Sequence, residues 1–257
     1  MNATRLSATR IAAGFAFLAL FGCGFLAGAE APGRAEVRAL QGQATFTIQG
    51  GPTRPLTINT ILLSGTIIKT GPDSTVDLFL GQAVGTVRIS ENSTLALDKL
   101  AFTDTGADTA VDVQLHLPEG EMYFNVNKLS RASRYEIKLP TGIAGIRGTK
   151  GSFCFRPAGR TTRPPVVLLE GKIVFVHVPG AGAMQSYVMS APPAVYFSAT
   201  DGVKEAPPSL IKEVEHQLDE SDKAPSKKDQ PPVNTKPPFS LQPEPVLSPG
   251  SGVPSKP

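Results

Sequence analysis

An all-β fold, a sandwich or jelly-roll-like wrap of antiparallel sheets, is predicted by three observations. Apolar and polar residues alternate with period two through the middle of the chain. Turn clusters rich in glycine and proline recur at intervals of about 8–12 residues, and no amphipathic helix of ordinary length interrupts them. A short C-terminal helix and a disordered proline-rich tail complete the expected architecture.

The alternation is clearest in three segments. Val111, Val113, Leu115 and Leu117 alternate with Asp112, Gln114 and His116. Met122, Phe124 and Val126 alternate with Tyr123, Asn125 and Asn127, and Tyr135, Ile137 and Leu139 with Glu136 and Lys138. Successive strand residues point to opposite faces, so each segment has one buried and one wet face. Further strands are expected at residues 36–40, 44–48, 66–69, 75–80, 86–89, 94–97, 152–155, 166–169, 172–177, 187–190 and 194–198. Turns are expected at Gln49-Gly50-Gly51-Pro52, Gly71-Pro72-Asp73-Ser74, Ser90-Glu91-Asn92-Ser93, Pro118-Glu119-Gly120 and Glu170-Gly171, where glycine supplies positive φ and proline fixes the entry dihedral.

Composition divides the chain into three parts. Arg5 and Arg10 precede an uncharged apolar run over 11–26, and Ala27-Gly28-Ala29 supplies a small-x-small cleavage pattern. Residues 1–29 are therefore read as a signal peptide, with Glu30 as the mature start and a periplasmic or extracellular destination. Leu20-Phe21-Gly22-Cys23 resembles a lipoprotein box, which makes Cys23 the candidate lipidation site; an uncleaved anchor is the third option. The β body is assigned to 34–203. Residues 204–257 form the tail, with a helix over 209–220 capped by Ser209 and then a segment too rich in Pro, Ser and Lys to bury a core.

Several function classes are excluded or disfavoured. Without Arg5 and Arg10 the chain has 23 basic and 22 acidic residues, so it lacks the basic footprint of nucleic-acid binding. Cys154 is the one thiol left after cleavage, which leaves no disulfide framework and suits a small buried hydrophobe. His116, His177 and His216 have no second ligand at metal-binding spacing, so no metal or cofactor is expected. No Gly-x-Ser-x-Gly elbow occurs, and Asp73, Asp77, Glu91 and Asp98 read as solvated strand ends. Gly142, Gly145 and Gly148 do not have dinucleotide-loop spacing and have no helix after them; they read as a tight corner between strands. A non-catalytic protein is expected.

That same stretch carries a family resemblance. Leu139-Pro140-Thr141-Gly142-Ile143-Ala144-Gly145-Ile146-Arg147-Gly148-Thr149-Lys150-Gly151-Ser152-Phe153 resembles the signature of FecR domains, in which an apolar strand meets Arg-Gly-Thr and then a Phe-bearing strand. In order around it, residues 65–74 resemble the family's early turn, 117–129 its Gly-then-aromatic strand, and 167–174, through Glu170-Gly171, its closing hairpin. The motif residues are Arg147, Gly148, Thr149 and Phe153. A guanidinium at a glycine-lined corner can satisfy several carbonyls, and Gly148 removes a blocking Cβ; ligand contact is the competing role for Arg147. Lys128, Arg131, Arg134 and Lys150 form either a basic edge for an anionic partner or a solvated face.

The resemblance implies an extracytoplasmic β module. Family regulators also carry a cytoplasmic anti-sigma segment, for which the ten residues before the apolar run are too few. The expectation is an exported, non-catalytic binding or scaffold module for an envelope or extracellular protein or glycan. The alternative is an extracytoplasmic input subunit of a cell-surface signalling system, partnering a separate membrane regulator.

Overall fold

In the computed structural model, which describes residues 30–104, 108–157, 163–178 and 182–224, the alternating segments become strands of two sheets. The strands are β1 (Glu30–Pro32), β2 (Ala35–Gln41), β3 (Ala44–Ile48), β4 (Arg54–Pro55), β5 (Ile61–Leu62), β6 (Thr66–Thr70), β7 (Thr75–Phe79), β8 (Gly85–Ile89) and β9 (Thr94–Asp104). They continue as β10 (Thr109–Val126), β11 (Arg134–Leu139), β12 (Gly142–Ile146), β13 (Thr149–Phe155), β14 (Val166–His177), β15 (Gln185–Ala191), β16 (Val195–Ser198) and β17 (Gly202–Glu205). One helix, α1 (Pro208–Asp222), follows. Residues 1–29, with Cys23, and the tail from 225 lie outside the described residues.

The first sheet runs β4-β3-β6-β9-β10-β11-β12-β14-β15, with β1 beside β9. The second runs β5-β2-β7-β8-β10-β13-β14-β16-β17. Two long strands belong to both. The first part of β10 pairs with β9 and β11, and its last residues pair with β13 and β8. In β14, partners change from β13 and β16 to β12 and β15. The all-β, wrapped architecture is the one the alternation predicts, with one parallel pair, β10–β11, among antiparallel ones.

Three expected corners are strand interior. The turn expected at Pro118-Glu119-Gly120 lies within β10, which passes through it by a register shift between His116 and Glu119. Pro118 falls in that gap, where its missing N–H breaks no ladder bond, and Gly120 has φ +114°. Glu170-Gly171 is likewise interior to β14, at the point where the strand changes sheets. The corner expected from Gly142 to Gly148 is mostly β12. Gly142 is there for close approach: a Cβ would stand 2.3 Å from the Val176 carbonyl oxygen and 2.8 Å from the Phe175 ring. The chain turns only at Arg147-Gly148, where Gly148 has φ +68°.

The inward halves of the alternating strands meet in one core. Val111, Val113, Leu115, Leu117, Tyr135, Ile137 and Leu139 are buried as their spacing predicts. Phe153 stacks on Phe124 at 4.9 Å between centroids, and Phe175 meets Phe197 edge-on at 5.0 Å. Cys154 is buried. Tyr123 departs from expectation. It sits on the outer, polar side of β10 yet is 2% exposed, because α1 lies over it.

The helix begins earlier than expected. Pro207 takes the N-cap position with extended dihedrals and Pro208 is the first helical residue, so Ser209 is inside the helix and makes no cap bond. Val214 and Leu218 are buried against Tyr123 and Val167, with Leu210, Leu169 and Tyr196 packed around them. Burial of each such side chain is worth about 1.5–3 kcal/mol, enough to hold a helix that lacks a side-chain cap.

Candidate functional site

The Arg-Gly-Thr corner joins β12 to β13. Arg147 is exposed, and its Nη2 donates to the Ser130 carbonyl at 2.9 Å, one carbonyl where several were expected. Thr149 is 1% exposed, with no hydrogen-bond partner for Oγ1 among the described residues. Gly148 and Gly171 interlock: a Cβ on Gly171 would lie 2.1 Å from the Gly148 carbonyl oxygen and 2.8 Å from Thr149 Cγ2. The Arg-Gly-Thr and Glu-Gly motifs, far apart in sequence, are thus two sides of one contact. Phe153 and Thr149 face inward, Gly148 makes the turn, and Arg147 stands at the surface.

Beside this corner the solvent face of the first sheet is ordered in cross-strand rows. Glu136, Gly145, Val174 and Val188 share one row through successive pairings. Lys138, Ile143, Val176 and Ser186 form the next. On the other flank Lys172 is opposite Ser190, and Arg134 and Arg147 lie alongside. Gly145 leaves a notch in this surface, since a Cβ there would meet only the Val174 oxygen at 3.9 Å. The result is a hollow of about 360 Å³ lined by Arg134, Glu136, Gly145, Arg147, Lys172 and Val174.

The charges of the hollow do not balance. Arg134 grips Glu136 through two bonds of 2.7 and 2.8 Å. Arg147 and Lys172 have no carboxylate partner among the described residues. Three cations therefore surround one carboxylate, and neighbouring like charges on a sheet are unfavourable unless an anion joins them. Next to the hollow, Ile143, Val174, Val178, Met184 and Val188 are exposed, an apolar strip leading to β15.

Residues 66–174 match the family model described as FecR protein. This segment is similar to FecR domains. It holds both interlocking motifs and every residue that lines the hollow, and the FecR family takes part in cell-surface signalling. No curated protein and no solved structure matches the chain. The strands β15 to β17 and helix α1 lie beyond the matched segment, and α1 packs on it through Tyr123 and Val167.

Beneath α1 the second sheet has its own polar row. Asp77, Arg88, Tyr123, Ser152, Val167 and Tyr196 are successive partners on its outer face. Arg88 Nε and Nη2 each donate to the Asp77 carboxylate at 2.8 Å, and Nη1 donates to Gln217 of α1 at 3.3 Å. Glu121 is 5% exposed and accepts from Tyr123 Oη and from Arg163 Nη1, both at 2.9 Å, while Arg163 also pairs with Glu213 of α1. Asp222 accepts from Thr86 and Asn125. Sequence reasoning missed this cluster, whose members lie up to 136 residues apart, and took Asp77 for a solvated strand end where Arg88 and the sheet enclose it. Its polar groups bond one another, an arrangement suited to fastening a helix; among the described residues no three metal-ligating side chains converge.

Burial raises the Glu121 carboxyl above the ordinary glutamate range, although Arg163 and Tyr123 pull it down. The folded chain then binds a proton that the unfolded chain has already released. The stability that comes from this group is present at acid pH and declines as pH rises through the elevated value. Thermal midpoints followed against pH are expected to show that decline in the wild type and a flatter profile in Glu121→Gln. Identical profiles would show that the carboxyl is not held high.

Proposed function

We propose that the chain is an exported, non-catalytic FecR-like module that binds or scaffolds an envelope or extracellular partner. The observation that carries this reading is the exposed apolar strip of Ile143, Val174, Val178 and Val188 beside unmatched cations on a single sheet face. A face that serves only as solvated surface has no need to gather aliphatic side chains at one place. Residues 1–29 act as the export signal in this reading, and Glu30, or a lipidated Cys23, begins the mature chain.

Photo-crosslinking residues placed at Val188 and Val174 are expected to form an adduct with one partner in the living cell. The same probe at Lys212, exposed on α1, is expected to give none. Equal labelling from all three positions, or none from any, would sink the proposal. Intact mass of the recovered protein reports the mature N-terminus in the same experiment.

A second reading is an input subunit of a cell-surface signalling system, favoured by the FecR match over 66–174. It requires the adduct to be a membrane regulator. An adduct with a structural envelope protein and an unchanged transcriptome on gene deletion would leave only the scaffold reading.

A further inference from the structure

We propose that β15 is a docking strand, to whose free edge a protein partner adds one strand of its own, with an acidic side chain reaching Lys172 across Ser190. This rests on the binding reading above and names the chemistry of the partner.

An unpaired edge offers a row of backbone N–H and C=O groups, and natural edges are blunted by shortness, charge, proline or a bulge. Nearly every described edge carries such a device. The strand β4 has two residues, one of them Pro55, and β1 has three, including Pro32. The strand β5 has two residues, and β2 beyond it carries Arg38 and a register shift between Val37 and Ala39. At the other end of the second sheet, β17 carries Lys204 and Glu205. In contrast, β15 is seven residues long, pairs with β14 without a shift, and has neither charge nor proline. Among the described residues no strand pairs with its other side.

The rows of the face then specify what the added strand presents. Its alternate residues on the solvent side stand opposite Ser190, Val188 and Ser186. Neighbouring strands are about 4.8 Å apart, so each such residue lies roughly 10 Å from β14. The two serines are small and do not obstruct that span. Over Ser190 the next side chain is Lys172, with Arg147 and Arg134 behind it in the hollow. Beyond Val188 is Val174, and over Ser186 lies Val176 followed by Ile143. The complementary strand is therefore acidic, apolar and apolar at alternate positions.

Other occupants fit less well. A second copy, paired antiparallel about Val188, would set Ser190 against Ser186 of its neighbour and bring no carboxylate to Lys172. A glycan would find no aromatic ring on these rows to stack on, and could not use the main-chain bonds of the edge.

The test uses the isotope-labelled mature chain and a synthetic probe, acetyl-Thr-Glu-Thr-Val-Thr-Leu-Thr-amide, together with its reversed-order counterpart for parallel pairing. One of the two is expected to shift the backbone amides of residues 185–191, and to bind about five-fold more tightly than its Glu-to-Lys analogue. Lys172→Gln is expected to shrink that preference, and Val188→Lys, a change at a 58% exposed edge position, to abolish binding while leaving the rest of the spectrum intact.

Equal binding of the Glu and Lys peptides overturns the acidic assignment. Shifts that avoid β15, or a Val188→Lys variant that binds normally, overturn strand addition. A wild-type dimer that Val188→Lys dissociates assigns the edge to a second copy instead. A uronic-acid oligosaccharide that perturbs Arg147 and Lys172 without β15 assigns the hollow to a glycan. Cross-links from Val188 that persist while neither peptide binds remove this proposal and leave the binding reading standing.

Discussion

Gly171→Val is expected to destabilise the fold by about 3–5 kcal/mol, through two separable effects. Gly171 has φ +88°, a conformation that a β-branched residue adopts only under strain. Its absent Cβ also makes room for the Gly148 carbonyl at 2.1 Å and the Thr149 methyl at 2.8 Å, so any side chain there must push β14 away from the Arg-Gly-Thr corner. Gly50 is the matched control: φ is +75°, but a Cβ would meet nothing within 4 Å. Gly50→Val is expected to cost only the conformational part, about 1–2 kcal/mol. Denaturant unfolding of the two variants against wild type reads the difference directly. If the two cost the same, the interlock of Gly148 and Gly171 contributes nothing to the fold.

The prominence of that contact explains what was legible in the sequence. Strands with one wet face record their burial as alternation, which is why Val111 to Leu117 and Tyr135 to Leu139 are readable residue by residue. Strand continuity is not recorded in that way. Pro118-Glu119-Gly120 and Glu170-Gly171 have turn composition because a strand that leaves one sheet for another needs a bulge or a positive φ, as a turn does. Local composition cannot separate the two; only the partners on either side do. Tyr123 was misplaced for a related reason. Its side of β10 is wet by alternation, but α1, from 85 residues further along, covers it.

The site was legible in parts. Arg147 stands out through the FecR resemblance, and the basic side chains near it through composition. The hollow does not, because it requires Arg134, Gly145 and Lys172 from three strands to come into register around a missing side chain. Nor does the edge status of β15. Its lack of charge is visible in Gln185-Ser186-Tyr187-Val188-Met189-Ser190-Ala191, but that means something only once the topology leaves one side of the strand unpaired. Edges belong to the sheet, not to the segment.

Arg88→Ala is expected to cost about 3–5 kcal/mol, since it leaves the Asp77 carboxylate buried without its cation. The pair is enclosed, with side-chain exposures of 11% for Arg88 and 4% for Asp77, and both guanidinium bonds are 2.8 Å. Loss of the bond to Gln217 also loosens α1 from the second sheet, so hydrogen exchange over 208–222 is expected to rise more than exchange in β9 or β11. The double variant Arg88→Met/Asp77→Leu separates charge from packing. Replacing a buried ion pair with apolar side chains of similar volume is often close to neutral, so the double variant is expected to recover most of the loss. Recovery would mean that the pair fixes where the helix docks more than it stabilises the sheet. A double variant as unstable as Arg88→Ala would mean that the bidentate pair, not just the absence of an unpaired charge, holds α1 against the second sheet.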